Sequence, residues 1–210
     1  STDGVTWSGE TTTLDTPGNR NQTISPSVIH DGTQFVLYYT KDAIVKRRTS
    51  ADGSTWSAEG ATTGIAVYAS HVAAIRGTDG RVHLLLQEVG PEATTQWTEG
   101  ARTIRVAKSA NGIAFTVGTI PLLTSEHMAQ RMIYRTCGLV EDRNGHDYYK
   151  LWASCVSLGV ASTAAEVQAE EAASGPIESY YIGYTEGYDP NDPDPSDRES
   201  LYPAGSVIAG

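Results

Sequence analysis

Long apolar runs, cysteine and positive charge are what this sequence has least of. No apolar stretch approaches the roughly 20 residues that a membrane-spanning helix needs, which argues against a helical anchor in these residues. Cysteine occurs twice in 210 residues, as Cys137 and Cys155. Two are too few for a disulfide framework, and their spacing is not that of a zinc site. Lys and Arg number 15 against 25 Asp and Glu, a formal net charge of -10. Such a balance repels phosphate backbones and anionic lipid and disfavours nucleic acid as a partner. The opening Ser-Thr-Asp-Gly carries neither a basic nor an apolar leader region, so any signal peptide is expected to be absent or already removed. Phenylalanine is scarce too, two residues against eleven tyrosines and four tryptophans. Amphipathic aromatics of this kind suit strand surfaces and ligand platforms.

What is present is a repeat. Ser1-Thr-Asp-Gly-Val-Thr-Trp7, Ser50-Ala-Asp-Gly-Ser-Thr-Trp56 and Ser109-Ala-Asn-Gly-Ile-Ala-Phe115 share one turn pattern. Asp or Asn followed by Gly tolerates positive φ and predicts a tight hairpin turn. A second set, Asp31-Gly32, Asp79-Gly80 and Asn144-Gly145, interleaves with the first. Each joins two strand-like runs: 27–30 with 34–40, 72–76 with 81–88, and 136–141 with 148–154. A third strand follows in each unit, at 44–49, 103–108 and 180–185. In the first two units it leads into the Ser-x-Asp/Asn-Gly turn and a fourth strand. Four antiparallel strands per unit is the make-up of a propeller blade.

The reading is therefore one all-β, β-propeller-like domain over 1–210, with three blade units at about 20–60, 61–120 and 121–188. Residues 1–10 would supply the strand missing from the third unit, and 189–210 form an acidic, Pro-rich tail. Three blades make a tight ring, so completion by partner chains, as a homo-oligomer or larger assembly, stands beside closure by the N-terminal strand. One helix is expected over 164–173, with a capping box at Ser162 or Thr163 and Glu166, and a stop at Gly175-Pro176. Counting back from Asn144-Gly145 places Cys137 opposite residue 152, so Cys137 and Cys155 are expected to be free, buried thiols.

Ser25-Pro-Ser-Val-Ile-His-Asp-Gly-Thr-Gln-Phe-Val-Leu-Tyr-Tyr-Thr40 and the stretch 132–154 resemble blade openings of the five-bladed propeller glycosidases: arabinanases, xylosidases and the invertase group. The Ser-x-Asp-Gly turns are similar to the Asp box of sialidases, where one further residue separates Asp from Gly. The resemblance covers most of the chain up to Thr185 and implies a carbohydrate as partner. It also implies acids at the starts of innermost strands, with an Asp-Pro pair opening the first. Here that pair reads Ser25-Pro26, the second unit opens with Ser70-His71 and the third with Tyr134-Arg135. Glycoside hydrolysis normally needs two carboxyl groups across the scissile bond. The spare acids are Glu126, Glu141 and Asp142, none of them at a strand start.

Strand starts line the funnel of such a ring, which singles out Ser25, Tyr68, His71, Arg131, Tyr134 and Arg135 as ligand-binding candidates. Arginine forks, imidazole and hydroxyls can hold sugar hydroxyls or a carboxylate. Satisfying buried backbone carbonyls, or an axial ion pair, would account for His71 and Arg135 without a ligand, and for His71 this is the simpler reading. Trp97, in a polar loop with no strand pattern, is a candidate stacking platform, whereas Trp7 and Trp56 read as packing. Asp3, Asp52 and Asn111 read as turn formers. Asp189, Asp192 and Asp194 could offer oxygens to calcium, although Pro190, Pro193 and Pro195 break the spacing of an EF-hand and a solvated acidic loop is the simpler reading. No other cofactor is expected. The leading expectation is a glycan-binding module without a hydrolase acid pair. Its rivals are a glycoside hydrolase and a scaffold of an extracellular or virion surface.

Overall fold

The computed structural model describes residues 24–89, 103–124, 132–156 and 180–191. Among them the chain is all-β, with eleven strands in three antiparallel sheets and no helix. Sheet one is a meander of β1 (Ile24–His30), β2 (Phe35–Lys41), β3 (Ile44–Ser50) and β4 (Gly60–Ala61). Sheet two repeats it with β5 (Tyr68–Arg76), β6 (Val82–Val89), β7 (Thr103–Ser109) and β8 (Thr116–Val117). Sheet three has β9 (Met132–Arg143), β10 (His146–Val156) and β11 (Tyr180–Tyr188), in the order β11-β10-β9. Sheets one and two share one strand order, and the described residues form no closed ring. The helix expected over 164–173 and the closing strand expected from 1–10 lie outside the described residues.

The sheets stack in chain order, and the sequence of β6 shows why. In Val82-His-Leu-Leu-Leu-Gln-Glu-Val89, successive side chains point to opposite faces. Val82, Leu84 and Leu86 join Val36, Tyr38, Val45, Val72 and Phe115 in the layer between sheets one and two. Leu85 joins Ile75, Ile104, Val106, Val140, Tyr149 and Leu151 in the layer between sheets two and three. A strand buried on both faces reads as a continuous apolar run rather than an alternation. Strands β1, β5 and β9 neighbour one another in that order across the stack.

The turns resolve into two kinds. Asn144 and Gly145 have φ of 57° and 87° and alone separate β9 from β10, a two-residue turn of the kind whose twist matches the flanking strands. The loops carrying Asp31 and Asp79 run over 31–34 and 77–81, one residue longer in each case than the strand-like runs predict, and the Asp side chain organises them. Asp31 Oδ1 accepts the amides of Thr33 and Gln34 at 2.9 and 3.0 Å. The repeat turns are built alike: Asp52 Oδ1 accepts Ser54 N and Thr55 N at 2.8 and 2.7 Å, and Asn111 Oδ1 accepts Ile113 N and Ala114 N at 2.9 Å each. The strands closing sheets one and two are two residues long, and the aromatics diverge. Phe115 is buried edge-on to Tyr38, whereas Trp56 is half-buried and donates its indole N–H to Gly53 O.

One expectation about cysteine is corrected. Cys137 faces Trp152 in the ladder, as counted, and both cysteines are free, but only Cys155 is buried. Cys137 belongs to the outer face of sheet three, with Leu139, Trp152 and Ile182, all exposed; the opposite face packs on sheet two.

Candidate functional site

Each innermost strand carries a β-bulge near its start. On β1, Ile24 pairs with Thr40 and Ser27 with Tyr38, so Ser25 and Pro26 oppose a single residue. On β5, Ala69 pairs with Glu88 and His71 with Gln87, leaving Ser70 extra. On β9, Ile133 pairs with Cys155 and Arg135 with Ser154, leaving Tyr134 extra. A bulge twists the strand and re-aims the residues beside it, which is how barrel rims and active sites redirect side chains. Ser25 shows the cost: its φ is 56°, a left-handed conformation worth about 1–2 kcal/mol against a residue with a Cβ.

The three bulges surround one cavity of about 460 Å³. Its wall takes Ser25 and Ser27 from β1, His71 from β5, Gln87 from β6, Arg135 and Thr136 from β9, and Trp152 and Ser154 from β10. Beneath it runs a chain of hydrogen bonds that joins all three sheets. Thr40 Oγ1 donates to Ser70 O at 3.0 Å, Ser70 Oγ donates to Gln87 Oε1 at 2.6 Å, and Gln87 Nε2 donates to Ile133 O. Ser25 Oγ is hydrogen-bonded to His71 Nδ1, and Ser27 Oγ accepts Ala74 N at 2.9 Å. The strained serine is thus tied to the imidazole of the neighbouring sheet. Trp152 adds an aromatic face at the rim, with Tyr184 inclined at 45° to it and centroids 5.3 Å apart.

Of the residues singled out in the sequence, Ser25, His71 and Arg135 meet at this cavity. Tyr68 begins β5 but stands 48% exposed, outside the wall. Tyr134 is the bulged residue of β9. Trp97 and Arg131 lie outside the described residues, as do Asp192 and Asp194. Asp189 is fully buried; its Oδ2 lies 2.5 Å from Lys108 Nζ, and its Oδ1 accepts the Asn191 backbone N–H at 2.8 Å. Gln87 and Trp152 were not anticipated. Both carry a signal, an amide within an apolar run and an indole on the polar side of an alternating strand.

No carboxylate belongs to the wall among the described residues. Glu141 lies elsewhere, with Lys150 Nζ at 2.5 Å and Arg143 Nη2 at 3.3 Å, and the hydrogen bond from Lys150 lowers its pKa first of all. Asp142 Oδ1 accepts the Gly145 amide at 2.9 Å within its turn. Glu126 is outside the described residues.

No family model matches the chain, and no curated protein matches it. Among solved structures it is similar to a GH43 beta-xylosidase/alpha-arabinofuranosidase from a compost microbial metagenome, crystallised in complex with xylotriose in a calcium-free form. The two share 17% identity at a TM-score of 0.45, over 82% of this chain and 55% of that one. The chain therefore spans little more than half the length of this distant neighbour. Fold and cavity together define an all-β protein of stacked, blade-like meander sheets, with a cavity where three bulged strands meet that is mainly apolar, carries a set of polar side chains and has no carboxylate among the described residues.

Proposed function

We propose that the cavity binds a carbohydrate without hydrolysing it. The observation that carries this reading is the convergence of three bulged strands on one largely apolar cavity whose wall also presents hydroxyls, an amide, an imidazole and a guanidinium but, among the described residues, no carboxylate. Its volume falls within the roughly 300–1,000 Å³ usual for small-ligand sites. Sugar hydroxyls both donate and accept, which suits Ser25, Ser27, Gln87 and Ser154, while Arg135 supplies a fork of donors. Trp152 offers a face for the apolar side of a pyranose ring. Hydrolysis would require a protonated carboxyl facing an ionised one. Glu141, held ionised by Lys150 and Arg143, suits neither that position nor the role of proton donor.

Calorimetric titration against a panel of neutral and acidic oligosaccharides tests this. One ligand class should bind, with no turnover of the matching aryl glycosides. Arg135→Ala should weaken binding about tenfold, as expected for loss of a charged hydrogen bond of about 1.5 kcal/mol. Trp152→Ala should weaken it about fivefold, in line with about 1 kcal/mol for a lost aromatic contact. A panel without a binder, or a binder indifferent to both substitutions, would remove the reading.

A further inference from the structure

A second cluster lies away from the cavity, where the β5–β6 loop of sheet two meets the start of β10 in sheet three. We propose that Asp79, His83 and Asp147 form a binding site for a divalent transition-metal ion of the zinc class. Each offers a ligand atom, and the three atoms lie within 4.8 Å of one another.

The imidazole is the decisive observation. His83 is completely buried, and its Nδ1 is engaged by Tyr149 Oη at 2.7 Å. Among the described residues its Nε2 has no hydrogen-bond partner; Asp79 Oδ1 is 3.8 Å away, beyond hydrogen-bonding reach. A buried polar nitrogen left unpaired costs about 1–3 kcal/mol, so the site lacks a partner there. A metal ion on Nε2 supplies it. Nδ1–H would then donate to the Tyr149 hydroxyl, the outer hydrogen bond that orients a metal-bound histidine. The approach is kept open by Gly77, where a Cβ would fall 2.5 Å from Asp79 Oδ1 and 2.7 Å from His83 Nε2.

The charges can accommodate a dication. Lys108 Nζ lies 2.5 Å from both Asp147 and Asp189, while Arg81 pairs with Asp79 and reaches Asp147 at 3.5 Å. The Arg81 side chain is 45% exposed and can withdraw to solvent. With Arg81 in place the three carboxylates exceed the two cations by one negative charge; with Arg81 withdrawn the excess is two, which one divalent ion neutralises. One imidazole nitrogen with two carboxylate oxygens suits zinc, whereas calcium and magnesium prefer oxygen ligands alone.

The test is titration of the full chain, stripped with chelator, by zinc chloride in competition with a chromogenic chelator, alongside thermal unfolding. The expected result is one zinc per chain and a Tm rise of about 5 °C at a hundredfold excess over Kd. Calcium and magnesium should give no rise. Asp79→Asn keeps an oxygen to accept the Arg81 amide and so preserves the loop, yet should weaken zinc binding at least about tenfold. Gly77→Ala, which alters none of the ligand residues, should abolish binding by placing a Cβ against Asp79 Oδ1 and His83 Nε2 and forcing them apart. Absence of stoichiometric zinc, or equal binding by wild type and both variants, would overturn the assignment.

Discussion

At the scale of single residues, the repeat turns show what an aspartate does when its carboxylate replaces backbone partners. Hydrogen bonds from the Thr55 and Ser54 amides bring the Asp52 carboxyl down to about 2 from an ordinary 3.8. Burial would raise Asp31, yet hydrogen bonds from Thr33 and Gln34 outweigh it and bring it to about 2 as well. A folded-state pKa below the unfolded one means stability that is complete above about pH 4 and is lost as pH falls through about 2. Asn111 makes the same amide contacts with no proton to gain. Asp52→Asn should therefore keep the turn while shedding its share of acid sensitivity. The Tm difference between wild type and this variant should shrink as pH falls from 5 to 2, whereas Asp52→Ala should lower Tm at pH 7. A difference independent of pH would show that the carboxylate charge does nothing in the turn.

At the scale of strands, position in the stack matters more than residue type. Leu85 lies between sheets two and three, whereas Leu139 is 54% exposed on the outer face of sheet three. Leu85→Ala should cost about 2–5 kcal/mol in urea unfolding. Leu139→Ala should change stability by no more than about 0.5 kcal/mol. Similar losses from both would mean that the outer face is covered in solution. The contrast also explains what could be read from the sequence. Turn residues and alternation are local, so the strands of all three units stand close to where they were expected, and the bulges fall on Ser25, Ser70 and Tyr134, which stood out as strand openings. Side-chain exposure depends on which sheet lies opposite, and that misplaced Cys137. The amide of Gln87 within an apolar run marks the position in the sequence, but its partner, Ile133 O on another sheet, is set by tertiary packing.

At the scale of the whole molecule, the stack makes stability unequal from layer to layer. Sheet two is covered on both faces, and its β6 carries Leu84, Leu85 and Leu86, all essentially solvent-free. The hydrogen bonds from Thr40 through Ser70 and Gln87 to Ile133 lie across the same sheet, so the floor of the cavity is its most constrained part. Sheets one and three pack on sheet two through one face; on their other faces Val28 and Ile182 are exposed, although in sheet one Leu37 and Tyr39 of the central strand are buried there. Local opening follows contact density and solvent access, and the best-packed strands exchange only through global unfolding. Amide hydrogen exchange should accordingly be slowest along 82–87 and faster along 27–30 and 181–186. A cavity built on the slow layer should be preformed, so a bound oligosaccharide should leave the protection of 82–87 almost unchanged and slow exchange at the bulges near Ser25, Ser70 and Tyr134. If ligand instead raised protection throughout β6, the site would be assembled by binding, and the bulges would be products of the complex and not its framework.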